Sequence, residues 1–317
     1  MGAGWVAGVI RARALTSQRL GAAAARELAS STSLAQALRG LTDSPYRGAA
    51  ADAATAAGAD ASLADAQRGV AEALLWNLRV LAGWLPPGGT RLLRPLAAGF
   101  EIANVEALLS SFSGASPPPR AYRLGVLGTA WRRLERAGSA GAVRRTLAAS
   151  PWGDPGAGTP WAVSVGMRMA AAARTAAVAP ARSWAEGRAA LLTAREMYVH
   201  GRVLPEAVRL RAADVLGERA LRASGFRDFR DRLPAGARWA MEGVDDPADL
   251  WRAEARWWTV LGRDAEDMLH GDGPAYGPVT VVGAVGALSV DAWRVRAALE
   301  LAAHGGGPRE VFDDLVG

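Results

Sequence analysis

The segment "DDPAD", Asp245 to Asp249, holds the residue pattern best suited to metal chemistry in this sequence. Carboxylate oxygens suit magnesium, and a DDxxD pattern on a helix face can grip a magnesium-held diphosphate. Here Pro247 moves the three acids, Asp245, Asp246 and Asp249, to a helix start instead of its interior. Asp246 then reads as a cap, Pro247 as a first-turn residue and Asp249 as an acid answering free amides and the helix dipole. No second acidic metal motif accompanies them. The histidines, His200, His270 and His304, lie far apart near glycines and lack the spacing of a ligand pair. No GxxxxGK[ST] string is present to cradle nucleotide phosphates. The absence of cysteine excludes disulfides, thiolate metal sites and thiol nucleophiles. The expectation is a chain with no catalytic residue, no cofactor and no metal.

A different polar pair stands in "AAGFEIANVEALLSSFSG", residues 97–114. Phe100, Val105, Leu108 and Leu109 recur near the helical period and mark a buried stripe. Glu101 and Asn104 lie one turn apart beside it, close enough to share a neighbour. A buried carboxylate without a partner is costly, so Glu101 is expected to accept hydrogen bonds from a neighbouring helix, an arginine or a loop amide. Asn104, with a donor and an acceptor, can bridge both ways.

The elements that must position these residues are helices. Alanine and arginine dominate, and no stretch alternates apolar and polar residues for long. Ser33 with Gln36 makes a capping box, and Leu34, Leu38 and Leu41 give that helix its apolar face. Pro308 opens a last short helix. Breaks fall at 42–48, 83–89, 113–120, 150–160 and 270–278, where proline and glycine interrupt the helical pattern. They predict helices of roughly 10 to 20 residues. Adjacent Trp257 and Trp258, with Trp251, cannot all face one way, whereas Met167 and Met169 read as core filling.

The 37 basic residues are all arginine, and with 31 acids they leave a net charge of +6 without a basic tail. Nucleic-acid binding is allowed by that balance but not argued for. The densest basic patch is Arg132, Arg133, Arg136, Arg144 and Arg145, a candidate face for an acidic partner or anionic headgroups. The N-terminus places its apolar patch before its first arginine, the reverse of a signal peptide. The apolar run 277–290 is about 14 residues where a membrane span needs ~20, so a soluble or peripheral chain is expected.

Internal repetition adds an architectural reading. "EIANVEALL" (101–109) aligns with "DAWRVRAAL" (291–299), matching Glu101 with Asp291, Val105 with Val295 and Leu109 with Leu299. At the asparagine position the later segment carries Arg294. A third segment, "SWAEGRAALL" (183–192), shares RAAL with 296–299 but departs further, with Ser183 and Glu186. These starts, about 82 and 108 residues apart, mark a tripled unit of roughly 100 residues. A tripled helical unit would more naturally form a curved or ring-like body than an enclosed pocket.

Four stretches then carry a resemblance: "RARALTSQRL" (11–20), "SLAQALRGLTDSPYRG" (33–48) with Leu38, Leu41, Thr42 and Tyr46, "FEIANVEALLSSFSG" (100–114), and the tail 276–301. Together the chain resembles the C/d family of central-stalk proteins in rotary V-type and archaeal-type (V/A) ATPases. That family's helix carries an acid and, three residues on, an asparagine, matched by Glu101 and Asn104; the region from about 150 to 270 matches worst. The resemblance implies an all-α, funnel-shaped body of three similar units, divided here as 1–115, 116–215 and 216–317. It further implies a non-catalytic socket, one copy per complex, between the central-stalk subunits and the membrane proteolipid ring. Such a socket couples stalk rotation to proton or sodium transport from the cytoplasmic face of the membrane. The alternatives are a helical magnesium-dependent isoprenoid-diphosphate enzyme using Asp245, Asp246 and Asp249, or an arginine-rich helical nucleic-acid-binding protein.

Overall fold

The computed structural model describes residues 3–48, 62–114, 119–271, 277–307 and 312–313. Among them the fold is all-helical, without a strand. Contacts gather the chain into two compact units, one from 1–86 with 258–317, the other from 87–257.

The first unit is built round its last long helix. Its elements are α1 (Ala3–Thr16), α2 (Ala22–Ala29), α3 (Leu34–Gly40), α4 (Leu63–Trp84) and, at the other end of the chain, α16 (Pro278–Ala303). Consecutive residues Val281 to Leu288 are buried, so α16 is covered on every side, as a central core helix must be. It packs against α1, α2, α3 and α4. Around it Leu28, Leu38, Leu41, Tyr46, Val70, Val295 and Leu299 share one apolar core. The helical pattern continues past the apolar run 277–290 through "DAWRVRAALELAA", with Asp291, Arg294, Arg296 and Glu300, so the helix reaches 26 residues. By length and composition alone α16 can cross a membrane, and 72% of its most apolar window is buried inside the protein. Gly283 is needed there, because a Cβ would lie 2.7 Å from Met268 Cβ and 2.9 Å from the Ala265 carbonyl oxygen.

The second unit contains α5 (Pro87–Leu96), α6 (Ala98–Ser111), α7 (Trp131–Leu134), α8 (Ala140–Ala148), α9 (Pro160–Ala176) and α10 (Arg182–Ala194). A π-helical turn, Arg195–Val199, prolongs α10. There follow α11 (Glu206–Leu216), α12 (Glu218–Leu221), α13 (Phe226–Arg232) and α14 (Ala235–Arg238). The division between the units falls inside α15 (Leu250–His270). The α9–α10 pair is the centre of this unit, with α6 and α11 against α9. Ile102, Val105, Leu109, Leu134, Val143, Leu147, Trp152, Val163 and Met167 make its core.

Side-chain caps mark the starts of α3, α4, α8 and α9. Ser33 caps α3 by accepting from Gln36 N at 3.3 Å, and Thr159 caps α9 ahead of Pro160. Gln36 reaches back to Thr32 N instead of to the cap's own amide, so the reciprocal half of the box is shifted by one residue. Asp246 caps the 3-10 turn Pro247–Asp249 that leads into α15. Helices α4, α15 and α16, at 22, 21 and 26 residues, exceed the expected length because no break falls within them. The helix expected at Pro308 and part of the breaks at 113–120 and 270–278 lie outside the described residues. Of the three tryptophans, Trp257 is buried, Trp251 is exposed and Trp258 stacks on Trp293. Met167 and Met169 are buried.

Candidate functional site

Glu101 leaves α6 into the core, only 2% exposed, and its carboxylate closes the start of α7. Oε2 accepts from Thr129 N at 2.6 Å, and Oε1 accepts from Ala130 N at 2.7 Å and from Trp152 Nε1 at 3.1 Å. Two amides that the short helix leaves unpaired are thereby satisfied, and the carboxylate is solvated by protein donors. Asn104, one turn on, pairs with both backbone groups of Tyr122: Nδ2 donates to the carbonyl at 2.9 Å and Oδ1 accepts from the amide at 2.7 Å. The segment leading to α7 is thus held to α6 at two points.

The same device stands in the first unit. Asp291, 3% exposed on α16, accepts from Leu20 N at 3.0 Å, Gly21 N at 2.8 Å and the Tyr46 hydroxyl at 2.8 Å. Those two amides open α2, as Thr129 and Ala130 open α7. The aromatic donors correspond as well. Ser44-Pro45-Tyr46 and Ser150-Pro151-Trp152 each follow a helix-capping serine, Ser33 or Ser139, whose partner serine comes eleven residues later. In both, the serine hydroxyl donates to a carbonyl three residues back, at 2.7 Å, and accepts from the aromatic residue's own amide. In the sequence the first string entered the resemblance through Tyr46 and the second counted only as a break, although their matched spacing after Ser33 and Ser139 was visible. Burial first, and then the neighbouring Asp291 charge, push the Tyr46 hydroxyl well above its ordinary pKa, so it remains a donor.

An arginine attends each acid. Arg174 lies over the Trp152 ring at 5.1 Å, and burial lowers its pKa while Glu101 opposes the shift. Burial likewise lowers that of Arg294, with Asp291 opposing. The third segment differs: Glu186 on α10 fills the space beside Gly236 in α14, while Ser183 is exposed.

The basic patch divides by role. Arg132, Arg133, Arg136 and Arg145 are exposed and have no side-chain partner among the described residues. Arg144 instead grips Asp154, Nε to Oδ1 at 2.9 Å and Nη2 to Oδ2 at 3.0 Å. That pairing, with the Gly156 amide, lowers the Asp154 pKa to about 2. Arg144 therefore braces the loop before α9 and does not belong to the free face.

The acidic string is spent on neighbours: Asp245 pairs with Arg230, Asp246 caps its turn and Asp249 lies 3.6 Å from Arg252. Among the described residues no group of three or more histidine or acidic side chains is placed to hold a metal. His270 and His304 sit near Glu266 and Glu300, and His200 lines a cleft between α9 and α10.

That cleft, of about 280 Å³, is bordered by Trp161, Val165, Leu191 and Leu192 and by Arg168, Arg188 and Arg195. No family model matches the chain, and no curated protein matches it.

Proposed function

We propose that this chain is a non-catalytic socket in the central stalk of a rotary V/A-type ATPase, joining the stalk to the membrane proteolipid ring. The observation that supports the reading most is the twice-built acid device. Glu101 and Asp291 sit on the helices that carry the resemblance, and each locks a helix start and an aromatic side chain into its own unit. A torque-bearing part needs such rigid joints, since an interface passes force only as well as its supports hold their geometry. The funnel of three units, the single copy per complex, the cytoplasmic membrane face and the coupling to proton or sodium transport belong to the same proposal. The free arginines Arg132, Arg133, Arg136 and Arg145 supply a face for an acidic stalk surface, where charge complementarity sets register and association rate.

The test is affinity purification of the tagged protein from detergent-solubilised native membranes in moderate salt, read by mass spectrometry. Recovery of catalytic, stalk and proteolipid subunits in stoichiometric amounts is expected. Recovery of the protein alone, with those subunits present in the same extract, overturns the proposal.

A further inference from the structure

We propose that the cleft between α9 and α10 binds a small oxyanion of the phosphate class, with Arg188 as the principal contact and Arg168 and Arg195 as flanking donors. The site lies within the second unit, and the inference is independent of the socket reading.

Helix periodicity brings the arginines there. Trp161, Ser164, Val165 and Arg168 fall on one face of α9, at steps of three and four residues. Arg188, Leu191, Leu192 and Arg195 do the same along α10 and into the π-helical turn. A π turn widens the helix at that end, a feature found often at functional sites.

The donors and acceptors do not balance. Arg168 gives Nη2 to Glu106 at 2.8 Å and Nε to Ser164 at 3.1 Å, which leaves Nη1 without a hydrogen bond among the described residues. Arg195 is paired with Glu254 through Nη2 alone. Glu196 is engaged from the other side, its Oε2 accepting from Trp161 Nε1 at 2.6 Å and from Arg202 at 3.1 Å. Three carboxylates are thus matched by three arginines, and Arg188 is left over. Its guanidinium lies 5.5 Å from the Trp257 ring centre and donates no hydrogen bond among the described residues. Stacking on an indole holds a guanidinium in place while leaving its in-plane donors available.

The surplus is therefore one positive charge and a fork of N–H groups inside a recess lined by Trp161, Leu191 and Leu192 and by the already paired Glu196 and Glu254. Such forks match the tetrahedral oxygens of phosphate in a bidentate manner. The volume suits inorganic phosphate or pyrophosphate and is below the ~300 to 1,000 Å³ common for drug-sized ligands. Desolvation by its neighbours lowers the Arg188 pKa; Glu254 opposes that shift and Arg168 and Arg195 add to it. A bound dianion relieves the repulsion among the three. The larger recess at Arg230 and Arg238 lacks this surplus, since both of those arginines already donate to backbone carbonyls.

The experiment is calorimetric titration of the purified full-length protein with pyrophosphate, and separately with inorganic phosphate, in chloride buffer. Saturable binding of one equivalent is expected, weakened roughly tenfold or more by Arg188→Gln and unchanged by Arg133→Gln. Absence of saturable binding, or equal affinity in wild type and Arg188→Gln, overturns the proposal. A measurement on the unaltered protein guards against a folding effect: pyrophosphate should slow phenylglyoxal modification of Arg188, mapped by peptide mass, and leave Arg133 unaffected. Equal modification of Arg188 with and without pyrophosphate also overturns it.

Discussion

Replacing Glu101 with glutamine removes one of the two oxygens that accept from three buried donors and turns an N–H toward another N–H. The expected cost is about 3 kcal/mol of unfolding free energy in urea, and Asp291→Asn should cost a similar amount because its three donors are arranged alike. Asn104→Asp sets a carboxylate oxygen against the Tyr122 carbonyl and should destabilise by roughly 2 kcal/mol at neutral pH. The Asp154 carboxyl, held near a pKa of about 2, is a group whose folded value lies below its unfolded one. Its pairing with Arg144 stabilises the fold above the unfolded value near 4 and loses that contribution as pH falls toward 2. Both side chains are more than a third exposed, so solvent screening keeps the contribution small. Acid titration of wild type against Arg144→Gln should show the difference shrinking over that window. Among residues, the polar character of Glu101 and Asn104 was legible from the apolar run round them. Their partners were not, because the amides that meet Glu101 lie 28 and 29 residues away across a proline-rich segment.

Helices in this protein are placed by their ends and packed by their glycines. Gly166 on α9 faces Pro155 so closely that a Cβ would lie 2.8 Å from that proline's Cβ and 2.9 Å from its Cα. Gly166→Ala should therefore cost about 1–3 kcal/mol by overpacking. Gly99 on α6 has nothing within 4 Å of the Cβ position, and Gly99→Ala should stabilise by about 0.5–1 kcal/mol. Thermal or urea unfolding of the pair separates the two cases by sign. The contrast was hidden in the sequence, where both glycines interrupt alanine-rich helices. The caps Ser33 and Asp246 were legible because each acts on an amide two or three residues away.

For the whole molecule, the second unit is one continuous segment with a core of its own. Residues 87–257 expressed alone should unfold cooperatively, as judged by circular dichroism; a non-cooperative melt would show that this core depends on the remainder of the chain. Charge reversal at Arg132, Arg133 and Arg136 together should leave that melt intact and reduce recovery of stalk subunits from native membranes several-fold, because these side chains are exposed and unpaired within the unit.

Composition and periodicity by themselves determined that the chain is helical, that Ser33 and Asp246 cap helical turns, and that one acid-bearing helix recurs at 101–109 and 291–299. These are local properties, set within a few residues of each position. Tertiary structure alone decided what the recurring acids hold. Asp291 meets amides 270 and 271 residues earlier in the chain, so the last long helix completes a unit begun by the first ones. It also separated arginines that look alike in sequence: Arg144 is spent on Asp154, Arg133 is free at the surface, and Arg188 stands over Trp257 without a carboxylate hydrogen-bonded to it. The charge of an arginine is written in its residue type. Whether that charge is neutralised depends on which carboxylates the packed helices bring within reach.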